Sequence, residues 1–89
     1  MIYSISYDLN RAGQNYQDLY ETIERANCWA HPMESLWFIS THETVQQWCD
    51  RLKAKIDAND SLFVVDITNQ ARCGWLSNSI WEWIGKIRN

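Results

Sequence analysis

Asp8 closes an alternating run from Ile2 to Leu9, and Asn10 and Arg11 follow it closely. A carboxylate at the mouth of a strand can hold Mg²⁺, which orients water and neutralises phosphate charge. Beside it, Asn10 and Arg11 can bind substrate, Arg11 as a phosphate clamp. Asp8 also has a plainer use, as an Asx-type cap on the amides of Asn10 or Arg11 in a solvated loop. One carboxylate is a thin ligand set for such a cation, so metal chemistry requires a second copy of the chain to bring a second Asp8. Asp8 to Gly13 matches a calcium loop at its first, third and sixth positions. The fifth and twelfth ligand positions hold Ala12 and Leu19, and a strand precedes the loop, so the EF-hand reading fails.

The remaining reactive side chains are scattered. His31 and His42 flank a hairpin with no Cys or Asp at ligand spacing, which reads as two loop histidines. Cys28, Cys49 and Cys73 are odd in number and lack a C-x-x-C pair, which suggests neither a disulfide framework nor zinc. Cys49 falls on an apolar helical stripe and reads as a small core residue. Asp66 lies in the last strand, on Asp8's face if the register allows, and otherwise toward solvent. Tyr3, Tyr7, Trp29, Trp37, Trp75, Trp81 and Trp83 offer either a stacking platform for unpaired bases or, with so few neighbouring cations, core packing and a dimer seam.

Composition narrows the class. The 89 residues are 46% hydrophobic and 21% charged, with a formal charge of -3, three Gly and one Pro. Surface scaling leaves about 5,500 Å² exposed after folding, which suits one domain over residues 1–89 and excludes two. Neither disorder nor a fibrous repeat fits. The mild acidity lacks the footprint of a duplex-binding domain, although a local site is compatible with it. No stretch approaches the length of a membrane span and the first residues lack a basic leader; together with the unpaired cysteines this predicts a cytoplasmic protein.

The elements that must position Asp8 follow from periodicity. Ile2 to Leu9 alternates, with Tyr3, Ile5, Tyr7 and Leu9 opposite Ile2, Ser4, Ser6 and Asp8, as in a strand. Tyr16, Leu19, Tyr20, Ile23 and Ala26 form a helical stripe over 15–26, with Asn27 at its end. Strands follow at 28–31 and 35–39 around a turn at Pro32 to Glu34. Ser40 to Glu43 has capping-box spacing ahead of a second helical stripe, Val45, Trp48, Cys49, Leu52 and Ile56, ending near Ala58. A strand spans 62–68. Ser77 or Ser79 then caps a helix bearing Ile80, Trp83, Ile84 and Ile87 on one face, with Trp81 off it. This order, β-α-β-β-α-β with an additional C-terminal helix, is an α+β, ferredoxin-like sandwich. Its helices cover one face of the sheet; the other needs the terminal helix, a second subunit, or both.

Ser6-Tyr7-Asp8-Leu9, Ser35-Leu36-Trp37, and Leu52 through Ile56-Asp57 into Asp60-Ser61-Leu62-Phe63-Val64-Val65 carry a resemblance across nearly the whole chain. They resemble the superfamily of the small CRISPR-associated protein numbered two and its toxin-like relative VapD. Gly74-Trp75-Leu76 and Trp81-Glu82-Trp83-Ile84 extend the likeness to its short "SinR family" members. The resemblance implies a ferredoxin-like homodimer with each Asp8 near the two-fold axis. It implies either metal-dependent RNA or DNA cleavage, with Asp8 as catalytic residue and Mg²⁺ ligand, or a non-catalytic module binding a protein partner in a toxin-antitoxin or phage-defence system. Ser35 and Trp37 match a structural motif. Gln14-Asn15-Tyr16-Gln17-Asp18 lacks the basic residues of the CRISPR-associated group, and a helix replaces that group's terminal strand. Ser4, Ser6, Trp81 and Trp83 are the expected dimer contacts.

Overall fold

The computed structural model describes residues 1–10 and 16–88. Seven elements follow in chain order: β1 (Ile2–Asp8), α1 (Gln17–Ile23), β2 (Cys28–Met33), β3 (Leu36–Ser40), α2 (Val45–Lys53), β4 (Ser61–Asp66) and α3 (Asn78–Arg88). The strands form one sheet in the order β2-β3-β1-β4, with every neighbouring pair antiparallel. No helix among the described residues is long and apolar enough to cross a membrane.

Alternation along β1 sorts its side chains to two cores. Tyr3, Ile5 and Tyr7 face α1 and α2, where Leu19, Ile23, Trp48 and Leu52 meet Trp37 and Ile39 of β3. Ile2 faces the other way and packs with Ala30, Phe38 and Ile84, so α3 covers part of the second face. Ile5, fully buried, sits opposite both Trp37 and Val64 at the middle of the sheet. Burying a side chain of this size contributes about 1.5 to 3 kcal/mol. The seven residues of α1 are too few for a helix to persist alone, so packing of Leu19 and Ile23 maintains it.

Both crossover helices are shorter than their apolar stripes. After Ile23 the amides of Arg25 and Ala26 bond the carbonyls of Thr22 and Ile23. After Lys53 the amides of Lys55 and Ile56 bond Leu52 and Lys53. These three-residue steps tighten the last turn, so Ala26 and Ile56 still reach the core after the α-helix has ended. Asn27 and Ala58 therefore lie beyond the helices, and the start expected at Asn15 falls outside the described residues.

Other boundaries also move. The capping box lies at Thr44, not Ser40: the Thr44 hydroxyl accepts from the Gln47 amide at 3.1 Å, and Gln47 accepts from the Thr44 amide at 2.8 Å. Ser40 instead ends β3, and the buried Thr41 hydroxyl accepts from Glu43 N and Trp48 Nε1, both at 3.1 Å. β2 runs through Pro32 to Met33, because an edge strand tolerates a residue with no amide hydrogen; its register shifts between Ala30 and Met33. β3 starts at Leu36, while β4 covers Ser61–Asp66. Trp81 is not off the packed stripe of α3, since it rests on the same cluster as Ile80, Trp83 and Ile87.

Candidate functional site

The register of β1 with β4 places Asp8 opposite Ser61, Tyr7 opposite Leu62 and Ser6 opposite Phe63. Directly paired residues share a face, so Ser6, Asp8, Ser61 and Phe63 form one patch on the side away from α1 and α2. α3 packs over the β2 and β3 half of that face, at Ala30 and Phe38, and leaves this half open. Phe63 is 64% exposed there. A shallow depression of about 270 Å³ runs between Ser6, Asp8, Ser61 and Phe63.

One carboxylate, two hydroxyls and a phenyl ring make up this patch. Asp8 is exposed, and among the described residues nothing hydrogen-bonds its carboxylate. No group of three or more His, Cys, Asp or Glu side chains there could hold a metal ion. The donors of a single chain do not fit Mg²⁺, which is bound through carboxylates and phosphates in an octahedral oxygen shell. Asp66 cannot supply the missing ligand: it pairs with Tyr3, so it lies on the opposite face and at the other end of β4. The Thr68 hydroxyl and amide donate to its Oδ1 at 2.6 and 2.9 Å, and these hydrogen bonds hold its carboxyl below the usual range.

Asp60, not Asp8, organises the neighbouring loops. Its Oδ1 accepts from the Asn10 amide at 2.9 Å and its Oδ2 from the Asp57 amide at 2.8 Å, while the Tyr16 hydroxyl lies 3.1 Å from each oxygen. Asn10 also donates from Nδ2 to the Asn59 carbonyl at 2.8 Å. Asn10 is therefore a strap between the end of β1 and the start of β4. Arg11, expected to clamp phosphate, lies outside the described residues. The Asn59-Asp60 turn and the apolar position of Tyr16 were visible in the sequence, but their distance of 44 positions hid the bond.

Of the other expected contacts, Ser4 is buried within the chain, and Trp81 and Trp83 pack on their own sheet. Ser6 lies in the open patch. The aromatic residues split the same way: Tyr3, Tyr7 and Trp37 are core, while Trp29 and Trp75 are exposed at 41% and 101%. Trp37 carries a stack that includes two residues outside the expected platform. His31 lies on it with centroids 3.7 Å apart and planes 12° from parallel, and Tyr20 stacks at 6.2 Å. His31 Nε2 is 3.1 Å from the Glu34 carbonyl, so this imidazole belongs to the hairpin, while His42 is exposed in the bend before α2. Across α2, Arg51 pairs with Glu43 through both nitrogens, at 3.0 and 2.5 Å, and lies 4.7 Å over the Trp48 ring.

The chain is thus a small α+β domain with a four-stranded antiparallel sheet, one face of it half open. No protein-family model, curated protein or solved structure matches it.

Proposed function

We propose that the chain is a cytoplasmic, ferredoxin-like protein-interaction domain that works as a homodimer through the open β1 and β4 half of its sheet. The strand order, the uniformly antiparallel pairing and the shared face of α1 and α2 support the ferredoxin-like plan. Free Cys28, Cys49 and Cys73 support a reducing compartment. The observation that carries the interaction reading is Phe63, 64% exposed and flanked by Ser6, Asp8 and Ser61. Contiguous apolar surface rimmed by polar groups marks a contact site, and pairing two copies about a two-fold axis sets one Phe63 beside the other and doubles the apolar area that each presents alone.

A second reading rests on the position of Asp8 in that same patch. Two copies meeting there bring two carboxylates toward one axis, the arrangement implied by the resemblance to the CRISPR-associated and VapD superfamily, in which Mg²⁺-dependent cleavage of RNA or DNA is one activity. The charge of -3 and the single carboxylate that each chain brings to the patch favour interaction over cleavage.

Sedimentation equilibrium of the wild type and Phe63→Glu tests the dimer. The wild type should be dimeric and the variant monomeric with an unchanged far-ultraviolet spectrum; a monomeric wild type, or a variant that still pairs, would overturn it. Cleavage of single-stranded RNA and duplex DNA with Mg²⁺ or Mn²⁺ separates the readings. Activity lost in Asp8→Ala establishes the nuclease, whereas inactivity of the wild type in every metal leaves the interaction module.

A further inference from the structure

β4 lies at an edge of the sheet, with β1 on one side and no strand on the other. Hydrogen bonds near the strand ends fix which of its backbone groups point outward. The Ile67 amide donates to the Ile2 carbonyl at 2.9 Å, and the Tyr7 amide turns the other way, to the Ser35 carbonyl ahead of β3 at 3.2 Å. Backbone groups alternate in direction along an antiparallel ladder. Ser61, Phe63 and Val65 therefore bond toward β1, while Leu62, Val64 and Asp66 turn their amides and carbonyls outward. Gln70 Nε2 donates to the Asp66 carbonyl at 2.8 Å. None of the apolar side chains of β4, Leu62, Phe63, Val64 and Val65, is fully buried within the chain.

A row of outward amides and carbonyls is a template for another strand, and this row matches itself. Among two-fold antiparallel registers, only the one centred on Val64 sets every outward residue opposite an outward residue. Val64 then faces Val64 of the second copy, and Leu62 faces Asp66 in both directions. Each outward amide meets an outward carbonyl, and that of Asp66 can accept from Gln70 and from the second copy together. On the open face Phe63 comes opposite Val65 of the second copy and diagonal to its Phe63, a favourable aromatic and β-branched pairing. On the other face the two Val64 side chains meet beside the core under α1 and α2. Centring the pair on Phe63 instead would set Asp66 against Asp60, and like charges directly opposite are destabilising.

We propose that two copies join β4 to β4 with Val64 on the two-fold axis, making one continuous sheet whose open face carries both Phe63 rings. This rests on the homodimer proposed above and states how its copies meet. It also bears on the second reading of that dimer. With β1, β4, β4 and β1 abreast, the two Asp8 stand about 14 Å apart across the strands and about 20 Å apart along them. One Mg²⁺, with bonds of about 2.1 Å, cannot span both.

Residue-resolved amide exchange of the full chain, at concentrations well below and well above the dimer Kd from sedimentation equilibrium, tests the proposal. The Leu62, Val64 and Asp66 amides should slow by about tenfold where about nine-tenths of the chain is paired, because only free copies leave them open. Phe63 and Val65, already bonded to β1, should be slow at both concentrations. Val64→Pro removes an outward donor that the isolated edge does not use, so it should keep the far-ultraviolet spectrum and yield monomers. Should that variant fail to fold, exchange in the wild type decides. A wild type with no dimer overturns this proposal together with the dimer. A dimer whose outward amides exchange equally fast at both concentrations, or one that survives Val64→Pro, overturns edge pairing alone and leaves a dimer of stacked open faces.

Discussion

Trp37 donates its indole hydrogen to the Tyr7 hydroxyl at 2.9 Å, and that hydroxyl donates onward to the Glu34 carbonyl at 3.0 Å. The relay ties β1 to β3 and to the hairpin turn. Burial pushes the Tyr7 hydroxyl above its ordinary pKa, as expected of a phenol held neutral inside a core. Tyr7→Phe keeps the ring but leaves the Trp37 donor buried and unanswered, so it should lower stability by about 1 to 3 kcal/mol. Urea unfolding followed by tryptophan fluorescence measures it.

The Asp60 carboxylate holds Asn10, Tyr16 and Asp57 together. Asp60→Ala should cost about 2 kcal/mol or more, because hydrogen bonds to a charged acceptor are lost and Tyr16 is buried. Amide exchange should accelerate at Asn10 and Asp57. Protection unchanged at both would show that the loops are held by other means.

The two candidate caps of α2 are separable by substitution. Thr44→Ala should destabilise by about 1 kcal/mol, the usual loss for a side-chain cap. Ser40→Ala should lie within about 0.5 kcal/mol of the wild type, since Ser40 ends a strand and is not itself the cap. Thermal unfolding of the two variants side by side tests the order.

Asp66 gives a pH dependence with a definite sign. Its folded pKa is depressed, by the Thr68 hydroxyl first and the Thr68 amide second, so its contribution is present above the unfolded value of about 4 and is lost as pH falls through the folded one. The urea midpoint of the wild type should exceed that of Asp66→Asn at pH 7 and pH 5, and the gap should close below about pH 4. Glu43, depressed by its hydrogen bonds to Arg51, titrates in both proteins and cancels from the difference.

Element order and the two faces of β1 were legible in the sequence because a period of two is unaffected by what the strand packs on. The ends of α1 and α2 were not, because Ala26 and Ile56 continue the apolar spacing through a tightened turn that periodicity cannot distinguish from a helix. Ser40 to Glu43 and Thr44 to Gln47 both offer capping chemistry, and the strand pairing of Ser40 with Ile2 and Cys28 decides between them. For the site, Asp8 and Ser6 could be placed on one face from alternation alone. That Phe63 joins them and that Asp66 does not depend on register and on long-range packing.

The two margins of the sheet are unequal. β2 carries Pro32 and a shift in register, so a foreign strand laid beside it meets a missing donor and an irregular backbone. β4 pairs regularly along all six of its residues and has no such interruption. Polymerisation by strand addition needs a growing flank and a receiving flank on every molecule, and here only one flank is fit for either task. Such growth ends at two molecules, which guards a chain with an uncovered phenyl ring against fibre formation.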